Sequence, residues 1–267
     1  MRDKHTHRKF LIPGRPTLCV MIKSRVTSEI IRDIRLALEE GCDAFGLQME
    51  SMLPECRTET DFCDIFNAME DKPAYVTNYR RGNTKSAADD EYLAKELITA
   101  LECGGDLIDI RADMFYPTSS EMTYNRAAVE KQIRLIEEVH KLGGQVIMSS
   151  HVLKFIRTDE VLEIAREQRR RGADIAKIVT AADTESELLE NLRISACLKD
   201  KLGIPSLFLC GGSASRKHRL LGPLLGSDIY LVVQESADSP EGQPKLKDAK
   251  RLLLMMNYEN IPGEENI

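Results

Sequence analysis

From Pro16 onward, short apolar runs alternate with amphipathic stretches, and this alternation constrains the fold more than any other feature of the chain. The runs are Thr17 to Ile22, Ala44 to Met49, Ala74 to Thr77, Leu107 to Ile110, Gln145 to Ser149, Ile175 to Thr180, Ser206 to Leu209 and Ile229 to Val233. Each has the length of a buried strand rather than of a helix. Between them lie Ser28 to Glu40, Glu59 to Glu70, Asp89 to Cys103, Tyr124 to Leu142, Asp159 to Arg171, Thr184 to Leu202 and, at the end, Lys247 to Met256. Several of these helical stretches begin near Ser, Thr or Asp and stop at Gly41, Gly104, Gly143, Gly172 or Gly203, the expected start and stop residues. The interval after Leu209 is short and glycine-rich, so its helix is the least defined by pattern.

Strictly alternating strands and helices imply right-handed crossovers and a parallel sheet. Eight such units in 267 residues favour a closed, single-domain (β/α)8 TIM barrel, with residues 1–15 as an N-terminal extension and 16–267 as the barrel. An open Rossmann-type sheet lacks its signature here: no G-x-G-x-x-G follows an early strand, and Gly211-Gly212 comes too late in the chain.

One strand carries a residue that its neighbours do not predict. In Gly172-Ala173-Asp174-Ile175-Ala176-Lys177-Ile178-Val179-Thr180, Lys177 falls within an apolar run. Burying an ammonium costs several kcal/mol unless it is paired or deprotonated. Such a lysine either snorkels to solvent or serves as an amine that attacks a ketone to form an imine.

A barrel places its chemistry at the C-terminal ends of strands, so those ends are the places to read. The fifth run continues as Ser149-Ser150-His151, setting a histidine at the mouth beside the strand of Lys177, where both groups reach one bound substrate. Gln48 and Glu50 share a face by the two-residue period after the second run. The third and fourth runs end in Thr77-Asn78-Tyr79-Arg80-Arg81 and Asp109-Ile110-Arg111-Ala112-Asp113, each readable as a solvated loop start or as a ligand contact. After the seventh run comes a glycine start with several cations, including Arg219, and after the eighth a stretch from Ser236 to Gln243. Barrels commonly bind anions on these two loops, so Arg219 is a candidate carboxylate clamp.

Composition excludes some partners. A net charge of −6 and the lack of a long basic tract argue against a nucleic-acid or anionic-membrane surface; Arg169-Arg170-Arg171 reads as a helix end. The seven cysteines are scattered, with no C-x-x-C and no histidine at ligand spacing, which points to a reducing cytoplasm and no structural metal. Met1 to Phe10 is basic and resembles neither a signal-peptide core nor a membrane span.

Across nearly its whole length the chain resembles the type I 3-dehydroquinate dehydratases, which are class I aldolase-like Schiff-base barrels. The resemblance rests on Pro16-Thr17-Leu18-Cys19-Val20, Ser149-Ser150-His151, Gly172 to Ile178, Arg219-Leu220 with Gly226-Ser227, and Ser239 with Gly242-Gln243. It implies an imine on Lys177 and general acid/base work by His151. It further implies substrate contacts from Arg80, Arg219, Ser239 and Gln243, no cofactor, a small-molecule substrate, and a place in the shikimate pathway of aromatic amino acid biosynthesis. A homodimer is the expected assembly. Gln48, on the second strand, is expected to bind substrate as well.

The departures fall in one half of the pocket. Where the family has Glu-x-Arg on the second strand, this chain has Gly46-Leu47-Gln48; where it has a glutamate before two glycines to partner the histidine, this chain has Thr84-Lys85-Ser86. Arg111 replaces a usual acid, and Glu50, Asp89 or Asp90 are the candidates for the missing partner. Three readings result: a lyase dehydrating 3-dehydroquinate or a close cyclic hydroxy-ketone acid; a Schiff-base dehydratase or aldolase-like lyase for another polyhydroxylated ketone; and a non-catalytic metabolite-binding barrel.

Overall fold

A computed structural model of the chain describes residues 7–80, 87–237 and 242–263, and for residues 87 and 88 the backbone only. The strands are β1 (Thr17–Ile22), β2 (Ala44–Gln48), β3 (Ala74–Thr77), β4 (Leu107–Arg111), β5 (Gln145–His151), β6 (Ile175–Ala181), β7 (Ser206–Gly211) and β8 (Ile229–Val232). The helices are α1 (Thr27–Glu40), α2 (Glu59–Ala68), α3 (Ala87–Glu102), α4 (Arg126–Lys141), α5 (Thr158–Arg170), α6 (Glu185–Lys201), α7 (Ser215–Leu225) and α8 (Leu246–Met255). All strand pairs are parallel, in the order β7-β6-β5-β4-β3-β2-β1-β8. The expected TIM barrel is thus borne out.

Its seam lies between β7 and β8, where the strand ladder stops. There the Asp228 N–H donates to the Ser206 carbonyl at 2.8 Å, and the Ser227 hydroxyl donates to the same carbonyl at 3.3 Å while accepting from the Phe208 N–H.

Local chemistry explains the helix boundaries. Thr58 and Thr184 close capping boxes with Asp61 and Glu187, and Asn125 accepts from the Ala128 N–H. The glycine stops are real: Gly41, for instance, takes φ 75°, a left-handed value that a side chain disfavours. The least defined helix forms as α7, with Pro223 inside it.

Period-two alternation sends one set of side chains into the barrel. Cys19, Met21, Ala44, Tyr75, Leu107, Ile147, Ile175, Val179, Leu207, Leu209, Ile229 and Leu231 form the apolar interior, and the opposite faces pack on the helices. Residues 7–15 run beneath this interior. Phe10 is fully buried and meets Tyr75 edge-on at 6.2 Å, its N–H donates to Gln145 Oε1, and the Arg8 N–H donates to Asp106. Burying one phenylalanine contributes about 1.5–3 kcal/mol. Arg15 forms a buried bidentate pair with Asp43.

Among the described residues no helix is long and apolar enough to cross a membrane. The fold does bring Glu59, Cys63 and Cys103 within 4.8 Å of one another on the helical shell, a grouping that spacing along the chain conceals.

Candidate active site

The interior changes character one layer above Leu107, Ile147 and Ile175. There Asp109, Ser149 and Lys177 share the inward parity of β4, β5 and β6, and Ser149 stands directly beside Lys177 in the ladder. The Lys177 side chain is 5% exposed, yet none of its three ammonium hydrogens lacks an acceptor. Nζ lies 2.8 Å from Tyr75 Oη, 2.5 Å from Tyr79 Oη and 3.1 Å from Asp109 Oδ2. It does not snorkel.

Asp109 is the hub of this cluster. Its Oδ2 accepts both phenol hydrogens, from Tyr79 at 2.6 Å and from Tyr75, while Oδ1 accepts from Ser149 Oγ at 2.5 Å. Burial alone pushes such a carboxyl up; the Lys177 charge and these hydroxyl donors hold it below its ordinary range. Burial, and after it the Asp109 charge, push both phenols well above theirs. Burial likewise raises the neighbouring Cys19 thiol, so it stays neutral.

His151 ends β5, and its ring packs edge-on against Tyr79 with centroids 5.1 Å apart. Its partner is Glu121, from the loop between β4 and α4. Glu121 Oε2 lies 2.6 Å from His151 Nδ1 and accepts the His151 backbone N–H at 3.1 Å. Burial raises this carboxyl, but the hydrogen bond and charge of His151, with the charge of Arg111, bring it below the usual value. Glu121 itself takes φ 48°, and Ser150 Oγ fastens its carbonyl at 3.0 Å. Gln168 on α5 braces the arrangement from behind, donating to Ser150 Oγ and to the Lys177 carbonyl, each at 3.1 Å. A carboxylate accepting at Nδ1 fixes the proton there and leaves the lone pair on Nε2.

The three candidates for the histidine's partner go elsewhere. Asp90 binds Arg80, Glu50 accepts from Thr77 Oγ1 and Gln48 Nε2, and Asp89 lies in the first turn of α3. Arg111 stands among three acids from two segments, 3.4 Å from Asp90 of α3 and 4.0 Å and 3.8 Å from Asp113 and Glu121 of the loop after β4.

Arg80, the expected substrate contact after the third strand, is held by two acids. Its guanidinium, 5% exposed, holds Asp90 and both oxygens and the carbonyl of Asp113, because these buried carboxylates require a counter-charge. Arg219 lies in α7 and donates through Nε to the Cys210 carbonyl and Ser215 Oγ, both at 3.1 Å. Gln243 is nearly buried, and the adjoining Gly242 packs against Arg216 in the first turn of the same helix. Gln48 keeps its amide oxygen buried without a protein partner. Ser239 and Thr84 lie outside the described residues.

At Gly46 the interior is already filled. A β-carbon there would sit 2.2 Å from Met21 Sδ, so the methionine occupies the space a longer side chain would need.

Tyr75 and Glu121 escaped the reading of the sequence, and Tyr79 and Asp109 were legible only as members of strand ends that could be loop starts or ligand contacts. Tyr75, Tyr79 and Asp109 carry a signal in their inward parity, since Asp109 and Arg111 alternate as a strand does. Glu121, in an irregular loop, carries none.

Residues 18–260 match the family described as Type I 3-dehydroquinase. A 3-dehydroquinate dehydratase from Aromatoleum aromaticum is 24% identical over 259 residues, 93% of each chain. One from Alkaliphilus oremlandii is 29% identical over 143 residues, 53% of this chain and 54% of that relative. The crystal structure of a type I 3-dehydroquinate dehydratase from Clostridium difficile, with covalent modified comenic acid, matches with a TM-score of 0.76 at 20% identity over 92% of this chain and 94% of that one.

Proposed function

The chain belongs to the type I 3-dehydroquinase family and is by that membership a carbon–oxygen lyase; we propose that it dehydrates 3-dehydroquinate through an imine on Lys177, with His151 as general acid/base. The observation that carries this reading is the lysine amine buried inside the barrel on the strand next to that of His151, with acid and phenol groups around its nitrogen. Lys177 attacks the ketone, and the resulting iminium acidifies the adjacent C–H. Nε2 of His151 takes that proton, the enamine expels the β-hydroxyl, and His151 returns the proton so that water leaves. Hydrolysis frees the lysine and an enone.

Glu121 supports the reading by holding His151 in the tautomer this requires. By the family resemblance Arg219, Ser239 and Gln243 would hold the substrate carboxylate and nearby oxygens. The unpaired amide oxygen of Gln48 would accept a substrate hydroxyl. The guanidinium of Arg80 would act at one remove, by ordering the loop after β4. A cytoplasmic homodimer belongs to the same proposal.

Borohydride reduction in the presence of 3-dehydroquinate tests it. The mass of one reduced adduct on the Lys177 peptide is expected, and its absence with 3-dehydroquinate and related cyclic ketones overturns the reading. The Met21-filled space at Gly46 favours a second reading, a Schiff-base lyase for a different polyhydroxylated ketone. An adduct with such a ketone and none with 3-dehydroquinate would select it.

A further inference from the structure

We propose that the phenol of Tyr79 is a third catalytic group, the proton carrier through which the imine at Lys177 is formed and later hydrolysed. This assignment rests on the imine reading above. It starts from geometry: Tyr79 Oη lies 2.5 Å from the lysine nitrogen and 2.6 Å from Asp109 Oδ2, and the ring touches His151.

The balance of the step shows what is needed. A lysine ammonium and a ketone give an iminium and one water; a C–N bond forms, the C–O bond breaks, and two protons move from nitrogen to the departing oxygen. The carrier must accept from nitrogen and donate to oxygen in the same place, ending unchanged. A hydroxyl can do both, because it offers a donor and free lone pairs at one atom. In the resting arrangement Tyr79 already accepts from Nζ and directs its own hydrogen to Asp109. When a carbonyl oxygen arrives, the phenol turns that hydrogen towards it and is refilled from the amine.

Two other groups touch the nitrogen, and both are less suited. Tyr75 is fully buried and packs on Phe10 beneath the lysine, whereas the ketone enters from the mouth. Asp109 is equally enclosed, 2% exposed, and its Oδ1 is occupied by Ser149. Tyr79 is half-buried, follows the end of β3, and reaches both the lysine and the histidine. Its phenol remains protonated, because burial and the Asp109 charge disfavour the phenolate.

Rapid-quench borohydride trapping with 3-dehydroquinate resolves the step. In Tyr79→Phe the rate of adduct formation should fall by about 10²-fold, within the usual range for general acid–base catalysis, while the final yield of adduct approaches that of the parent. His151→Ala should form the adduct near the parent rate and then accumulate it, so the two variants stall on opposite sides of the imine. Replacement of Tyr79 by 3-fluorotyrosine, close in shape but more acidic, guards against misfolding of the phenylalanine variant. Because it keeps the hydroxyl, it should form the adduct at close to the parent rate. An adduct formed equally fast in Tyr79→Phe, or one formed as slowly in the fluorotyrosine protein as in Tyr79→Phe, overturns the assignment of Tyr79 alone. No adduct in the parent protein overturns the imine reading and this assignment with it.

Discussion

Glu121 Oε2 stands 2.6 Å from His151 Nδ1, so the carboxylate that orients the histidine arrives from the loop after β4 rather than from the loop after β3. Arg111 ends β4 3.8 Å from the other oxygen of Glu121, which gives the acid a counter-charge. Glu121 and Arg111 thus act on His151 together, one as its partner and the other as the partner's counter-ion.

Glu121→Gln should lower kcat by about 10²-fold or more with KM little changed, because an amide that presents its N–H to Nδ1 imposes the wrong tautomer. Glu121→Asp should recover part of the loss. The folded-state value of Glu121 lies below its ordinary one, so its contribution is complete above the unfolded carboxyl value and is lost only as pH falls through the folded value. The parent should therefore lose stability in acid that Glu121→Gln does not. Steady-state kinetics read the loss in kcat, and melting temperatures across acid pH read the stability.

Lys177→Met should abolish adduct formation and also destabilise the fold by about 3–5 kcal/mol, since it strands the Asp109 carboxylate in the barrel interior. The double change Lys177→Met with Asp109→Asn should regain most of that stability and none of the activity. Urea unfolding at neutral pH distinguishes the two effects.

Gly46→Glu, which restores the family's residue, should destabilise the chain by about 1–3 kcal/mol because Met21 Sδ fills the space. Adding Met21→Ala should relieve the strain. Equal denaturation midpoints for the single and double variants would contradict the packing argument.

His218 gives the fold an acid sensitivity unrelated to catalysis. It is buried in α7 against Phe208, with Asn191 O and Ser195 Oγ near Nε2, and burial, then the neighbouring Arg219, lower its value to about 4. The unfolded chain takes up this proton near the ordinary histidine value and the folded chain does not. Stability therefore falls as pH drops from the unfolded value towards about 4, by on the order of 3 kcal/mol over the window. His218→Leu should flatten that slope, as read from melting temperatures between neutral and mildly acidic pH.

The sequence exposed the elements of the barrel because a strand or helix is written in a local period. Lys177 was legible as a charge within an apolar run, and His151 as the end of the neighbouring strand. What surrounds the lysine was not legible to the same degree. Tyr75, Tyr79 and Asp109 meet it through the register of β3, β4 and β6, and register depends on how whole strands slide past one another. The grip on Arg80 was hidden for a related reason: its neighbours in sequence gave no sign that Asp90 and Asp113 would close around it. Glu121 depends on loop geometry, which has no period at all.

Phe10 beneath Tyr75 has one more implication. Among the described residues Phe10 closes the barrel below Tyr75, so a ligand that reaches Lys177 does so from the side of His151. On the imine reading, product that stays there holds the place of the next substrate.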